Sequence, residues 1–303
     1  MHGFLFQTLL TIILFYCPFI KLHGEEKPCN PKKRILIASP IRQKPAILKQ
    51  FLDSLNRLEQ VTYSIDFFFI DDNDQLESRK ILLDFLLNTP SKWYLIGNSM
   101  NRTDASDIYV CDDTIHYWTD NIMWKVARFK DEMINKARTE HYDYLFLIDS
   151  DIVLHPNTIE QLIKSNKDII SNIFWTRWGT DPTEYPQVWL YDLFTDFEIE
   201  IGETLSIEEI QKRRQKFHNM LRVPGVYEVG GLGACTLISQ NALKEDISFK
   251  KIPNLTIWGE DRHFCIRALA LGLDLHVDTH HPAYHIYTES YLQGVDDFIN
   301  SCK

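Results

Sequence analysis

Two aspartates separated by one residue, Asp149-Ser150-Asp151, are the side chains whose type and spacing say most about chemistry. Hard divalent cations prefer carboxylate oxygens and keep positions open for substrate phosphates. A bare Asp-x-Asp is common and more often serves as a loop cap or turn. Here it follows Tyr144-Leu-Phe-Leu-Ile148, five consecutive apolar or aromatic residues that read as a strand buried on both faces. Ligands gather at the carboxyl ends of strands in an open, mostly parallel sheet. The pair is therefore expected to face a site.

Four further positions carry candidate chemistry. Asp71 and Asp72 end the apolar run Phe67–Ile70 in the same way. They would sit along the same sheet edge, as partners for a base or ribose or as an Asx-type turn. Gly230, Gly231 and Gly233 interrupt a strand-like stretch, where glycine marks a bulge or a close approach of backbone to ligand. Gly259-Glu260-Asp261 opens a helical pattern, a place where the macrodipole favours ionised acids. Those acids would cap the helix or take a hydroxyl proton as a general base. Trp258 beside them would wall a sugar ring. His285, between Tyr284 and Ile286, reads as a satisfied core histidine or as a third ligand beside two carboxylates, with His280 and His281 as competitors placed in a loop.

The elements that must position these groups alternate. Ile35–Ala38, ending at Ser39-Pro40, reads as a first strand, Phe67–Ile70 as a second and Trp93–Ile96 as a third. Ile47, Phe51, Leu55 and Leu58 recur at helical spacing after Pro45, and the stretch from Leu76 to Leu87 is helical. Ile122, Val126, Phe129, Met133 and Ala137 mark a helix that delivers the chain to the Asp149 strand. Asn157 with Glu160, and Ser206 with Glu209, have the spacing of capped helix starts. Ile169–Trp175 and Leu273–Val277 read as strands, the second being the last. Residues 98–119 and the Trp- and Tyr-rich stretch from Trp178 to Tyr191 show no period. This alternation predicts an α/β layered domain around a largely parallel sheet.

Composition narrows the function. The 303 residues are 45% hydrophobic and 13% aromatic, ample for a sizeable core, and the formal charge of −10 argues against nucleic acid as a partner. No CxxC occurs among the six cysteines, which argues against zinc, while one or two disulfides would suit an oxidising lumen. The apolar run from Phe4 to Ile20 makes residues 1–24 a signal peptide or an N-terminal membrane anchor, followed by a polar spacer at 25–33. The expected localisation is membrane-associated or secretory. Basic residues follow the run, which for an anchor puts the domain on the cytoplasmic side, whereas the sequons at Asn101 and Asn254 suit a lumen. Both orientations stand at this point.

Taken in order, the Asp149-Ser-Asp151 pair, the Gly230-Gly231-Leu-Gly233 loop, Gly259-Glu260-Asp261 and His285 resemble the motif series of a GT-A-fold glycosyltransferase, similar to family 2 nucleotide-sugar-dependent enzymes. The resemblance spans residues 34 to 290 and implies a single GT-A (Rossmann-like) domain over 34–303, with a mostly parallel central sheet flanked by helices. It implies Mn²⁺ or Mg²⁺ as cofactor, held by Asp151 with Asp149 and His285. Ser39, Pro40, Asp72, Asp149, Gly231 and Trp258 would bind the nucleotide sugar, Asp261 would be the catalytic base and Glu260 would position the acceptor. The implied reaction is inverting, non-processive transfer of a sugar from a nucleoside diphosphate to a glycan, protein or lipid hydroxyl. Asn73-Asp74 departs from the Gly-Ser that family 2 enzymes commonly place after the second-strand acids. Two other classes fit parts of the pattern: a catalytically silent GT-A carbohydrate-binding or scaffold module, and a sugar-phosphate nucleotidyltransferase.

Overall fold

A buried strand followed by an amphipathic helix is the repeating unit of the first half of the molecule. The structure, a computed structural model, describes residues 32–97, 110–111, 116–178 and 183–303. The expected leader, nearly all of the spacer and the Asn101 sequon lie outside these residues. In chain order, β1 (Lys33–Ile41), α1 (Pro45–Asn56), β2 (Tyr63–Asp71), α2 (Leu76–Asn88) and β3 (Trp93–Gly97) come first. After the short pair β4 (Val110–Cys111) and β5 (His116–Tyr117) come α3 (Asp120–Thr139), β6 (Tyr144–Leu147), β7 (Ile152–Val153), α4 (Thr158–Lys164) and β8 (Ile169–Arg177). The second half is β9 (Glu184–Pro186), β10 (Val188–Trp189), α5 (Ile207–Leu221), β11 (Val226–Val229), β12 (Gly231–Leu232), β13 (Thr236–Ser239), α6 (Gln240–Lys244), α7 (Glu260–Ala270), β14 (Leu275–His285) and α8 (Val295–Ser301).

The main sheet runs β11-β14-β8-β13-β6-β1-β2-β3. β1 pairs in parallel with β2 and β6, β2 with β3, and β14 with β8. β13 is antiparallel to both β6 and β8, so β8 and β14 point the same way as β6. The carboxyl ends of β1, β2, β6, β8 and β14 therefore share one edge, together with the start of β13. That topology gathers Pro40, Asp72, Asp149, Gly233 and His285 from across the chain. It is the α/β, mostly parallel arrangement expected.

Helices pack on the sheet through the periodic faces read from the sequence. α1 begins with Pro45 and buries Ile47, Leu48, Phe51, Leu52 and Leu55, each worth about 1.5–3 kcal/mol as removed apolar surface. α3 is capped by Thr119, whose hydroxyl accepts from the Ile122 amide, and carries Asp120 in its first turn and Lys136 and Arg138 in its last, matching the helix dipole. Ser206 caps α5 by accepting from the Glu209 amide, as its spacing predicts.

Two expectations are corrected. Asn157 does precede α4, but its side chain makes no capping bond. Glu160 instead accepts from the amides of Val61 and Thr62 and from the Thr62 hydroxyl, tying α4 to the turn before β2. Three donors on the neighbouring turn outcompete one at its own N-cap. The last strand also runs on beyond Val277 to His285, because β7 supplies a second partner for its distal half: Tyr284 pairs with Val153 and His285 with Ile152. His280 and His281 thus lie on a strand and not in a loop, with His281 stacked on His155 at 4.2 Å.

The glycine series has a packing reason. Gly230 donates to the Trp189 carbonyl at 2.9 Å, and a Cβ there would overlap the Leu190 carbonyl oxygen. A Cβ on Gly231 would enter the Trp189 ring, whereas on Gly233 it would meet nothing closer than 3.7 Å. Gly230→Ala is expected to destabilise the protein by about 3 kcal/mol or more, and Gly233→Ala by far less. Urea unfolding of both variants checks the ranking.

Candidate active site

At the shared sheet edge lies a cleft of about 730 Å³, within the usual size of a ligand site. Asp149, Ser150 and Asp151 form its floor; Pro40, Arg42, Asp72 and Lys125 line one end; Gly233, Trp258, Glu260 and Asp261 line a wall. Trp178, Tyr185, Trp189, Phe194 and Tyr287 supply an aromatic side. Of the residues expected to hold a nucleotide sugar, Pro40, Asp72, Asp149 and Trp258 reach the cleft. Ser39 does not: it is wholly buried and its hydroxyl donates to the Pro40 carbonyl. Gly231 also lies off the cleft, under Trp189, and Gly233 takes its place.

Asp151 and His285 are brought together by the β7–β14 pairing, since the Ile286 amide donates to the Asp151 carbonyl at 2.8 Å. His285 Nε2 lies 3.6 Å from Asp151 Oδ2. Two ligands of one cation can span that gap when each bond is about 2.1 Å. His285 Nδ1 is 2.8 Å from the Thr176 hydroxyl, which also accepts from Gln187 Nε2 at 3.0 Å. Such outer hydrogen bonds fix the tautomer and aim of a ligating imidazole. The donor set fits a divalent cation that takes its other ligands from substrate phosphate and water. Among the described residues, however, no three His, Cys, Asp or Glu side chains come close enough to form a cation site alone. The structure brings Asp151 and His285 together, with Asp149 lining the same cleft.

The acids at the head of α7 meet a lysine that the sequence reading missed. Lys130 of α3, almost wholly buried, donates to Glu260 Oε1 at 2.9 Å and to Asp261 Oδ1 at 2.7 Å. Ile122, Val126, Lys130 and Ile134 follow one another at intervals of four, so a lysine on an otherwise apolar stripe was the available signal. Lys125, also buried on α3, donates to both oxygens of Asp72 at 2.9 and 2.8 Å. Asp71 forms the Asx-type turn: its Oδ1 accepts from the Asn73 amide and side chain.

Three carboxylates around one ammonium leave the site short of positive charge. Burial pushes the Asp261 carboxyl up to about 7; Lys130 opposes this, while Glu260 and Asp149 add to it. Burial likewise pushes Asp149 up to about 6, against Lys130 and reinforced by Asp151 and Glu260. Lys130 is raised well above an ordinary lysine, because Asp261, Glu260 and Asp149 outweigh the effect of burial. In cation-free protein the folded state thus binds these two protons more tightly than the unfolded chain. The resulting stability is fully present below the unfolded carboxyl value of about 3.9 and is lost as pH rises through the folded values of about 6 and 7. The cation-free protein should melt roughly 5 °C lower at pH 7.5 than at pH 5.5. Mn²⁺ should raise the melting temperature more at the higher pH, and Asp149→Asn with Asp261→Asn should flatten the profile.

Comparison with known proteins agrees with this geometry. Residues 32–181 match the family described as glycosyltransferase family 25, N-terminal domain. The fold is of the GT-A type. A glycosyltransferase 25 family member of Aedes aegypti is 25% identical over 212 residues, covering 64% of this chain and 35% of the relative. Procollagen galactosyltransferase 1-A of Xenopus laevis is 22% identical over 175 residues, covering 56% and 28%. The chain therefore spans only about a third of the length of these relatives. Among solved structures, a Pyrobaculum calidifontis mannosyltransferase in complex with GDP-Man and Mn²⁺ shares the fold, with a TM-score of 0.51 at 9% identity over 86% of this chain and 59% of that one. The GT-A expectation stands; the family that matches is 25, where motif order had suggested family 2.

Among the described residues no helix is long and apolar enough to cross a membrane. Cys235, Cys265 and Cys302 are free thiols. Asn254 of the second sequon is exposed.

Proposed function

We propose that this glycosyltransferase moves a hexose from a nucleoside-diphosphate sugar to a hydroxyl group, with inversion at the anomeric carbon. The observation that carries the reading is the Lys130–Glu260–Asp261 cluster lining the same cleft as Asp151 and His285. Asp151 and His285 would hold a divalent cation, which when bound supplies positive charge for the diphosphate leaving group. Pro40, Asp72 and Lys125 flank the base and ribose end, where the Lys125 ammonium fixes the Asp72 carboxylate. Asp261, more open to the cleft than Glu260, accepts the proton of the attacking hydroxyl. Lys130 holds that carboxylate in place, and Trp258, its Nε1 donating to Asp120 Oδ1 at 2.9 Å, walls the sugar.

Support for the donor class comes from the GDP-Man and Mn²⁺ in the mannosyltransferase of like fold, and for hexose transfer from the galactosyltransferase name of the Xenopus relative. That name and the exposed Asn254 sequon also favour the secretory pathway, with membrane association through residues 4–20 as part of the proposal.

The test is a panel of UDP- and GDP-sugars, with and without Mn²⁺, scored by nucleotide released and by the anomer of the product. One donor should be turned over only with the cation, giving a product of opposite anomeric configuration. Retention of configuration would remove the role given to Asp261, and full turnover in chelator would remove that of Asp151 and His285.

A further inference from the structure

The cleft extends past the residues assigned above to the donor. In the strand order, β6 and its aspartates separate the β1–β2 end, with Pro40 and Asp72, from the β8 side. Tyr185, Trp189, Phe194 and Asp196 also line the cleft, and none of them is among the residues assigned to the donor or the cation. Phe194 and Asp196 sit on the tight loop Tyr191–Thr195 and just after it, closed by the Leu190 amide donating to the Thr195 carbonyl at 2.8 Å.

Three observations single out this loop. Phe194 has φ of 57°, a left-handed conformation costing a bulky side chain about 1–2 kcal/mol, and strain of that kind persists where surroundings enforce it. What enforces it is packing: the Phe194 ring stands edge-on to Trp189 at 4.8 Å, with the Arg262 guanidinium 4.5 Å from its centre. Arg262 also donates to the carbonyls of Asp192 and Trp258, so the loop is pinned to α7 beside Asp261. Yet half of Phe194 remains exposed at the cleft, a strained aromatic held out toward solvent.

The third observation is Asp196. Arg214 Nε donates to its two oxygens at 2.8 and 2.9 Å, and His218 Nε2 to Oδ2 at 2.8 Å. Burial pushes the carboxyl up, but these bonds win and hold it below the usual carboxylate range. A carboxylate offers about four acceptor positions, so Oδ1 keeps capacity for a further donor. Its charge is matched by Arg214, which makes it a partner for neutral hydroxyls and a poor one for an ammonium.

We infer that Phe194 and Asp196 form an acceptor subsite for a saccharide ring, resting on the sugar-transfer reading above: Phe194 stacks on the apolar face of the ring and Asp196 accepts from its hydroxyls. An aromatic face beside an ionised acceptor suits a pyranose, which has an apolar face and a rim of donors. Lysine-like acceptors would be disfavoured.

The test uses saturation-transfer NMR on the full chain with Mn²⁺ and a nucleoside diphosphate. The probes are methyl β-galactoside and methyl β-glucoside, with 1-amino-2-propanol as the cationic comparison. A glycoside should bind through its ring protons, and the amino alcohol should not. Phe194→Ala and Asp196→Asn should each raise the glycoside Kd tenfold or more. Because Asp196 also anchors α5, melting temperature and the nucleotide-induced shift report whether that variant is folded; exposed Phe194 supplies the independent arm. The inference is overturned if neither glycoside binds, if both variants bind it like wild type, or if only the amino alcohol binds and depends on Asp196. Sugar transfer itself fails separately, by absence of nucleotide release from every donor.

Discussion

Asp261→Asn is expected to lower kcat by about 10³-fold, within the 10²–10⁴ range of a general base, while donor affinity stays within a few-fold. Asparagine keeps the size of the side chain and can still accept from Lys130 through Oδ1, so the 2.7 Å contact that positions it survives. What is lost is the ability to take a proton. The loss should fall on kcat and not on the KM for the nucleotide sugar, because the removed interaction is made only as the acceptor loses its proton. Glu260→Gln is the comparison. Its side chain is 11% exposed against 28% for Asp261, and it faces Lys130 more than the cleft, so its effect should be smaller. Reversal of that order would move the base to Glu260. The pH profile of kcat/KM gives a second check: with Asp261 held up near 7, activity should fall about tenfold per unit below that value and level off above it. A bound cation would shift the break downward.

Much of this site could be read from the chain because its parts sit at ends of strongly patterned elements. The run Tyr144–Ile148 is apolar at every position, so only a doubly covered strand accommodates it, and the acids that follow must lie at its mouth. Gly259, with φ of 109°, stops the preceding backbone and starts α7 where the pattern placed it. What stayed hidden depends on contacts distant in sequence. Lys130 and Asp261 are 131 positions apart, and a lysine on an apolar stripe shows its purpose only beside its acids. Asp196 looks like any loop aspartate until Arg214 and His218 of α5 close on it. His285 does lie beside Asp151, but the strand that delivers it extends past the predicted end at Val277, since β7 is two residues long and leaves no periodicity to read. The Gly230–Gly233 series shows the reverse failure: the glycines suggested a ligand, and two of the three answer to the Trp189–Leu190 backbone and ring instead.

The charge balance around Lys130 leads to the second large effect. Lys130→Met should cost about 3–5 kcal/mol of stability at pH 8, because it strands buried carboxylates without their cation. The sign of its pH dependence follows from the same balance. Without Lys130 the carboxyls of Asp149 and Asp261, already pushed up by burial, rise further, so below pH 6 they hold protons and need no counter-charge. The melting-temperature gap between wild type and Lys130→Met should therefore widen steadily from pH 5.5 to pH 8, as measured by calorimetry in chelator. A purely steric role for the lysine would give a gap independent of pH. Combining Lys130→Met with Glu260→Gln should recover part of the loss at pH 8, since one buried charge is removed along with its partner. Transfer activity should not recover with it. Asp261 would regain a tolerable electrostatic environment but not the 2.7 Å ammonium contact that fixes where it meets the acceptor hydroxyl. Stability and catalysis would then separate in a single pair of variants: lysine is replaceable as a counter-charge by removing an acid, and irreplaceable as the group that aims the base.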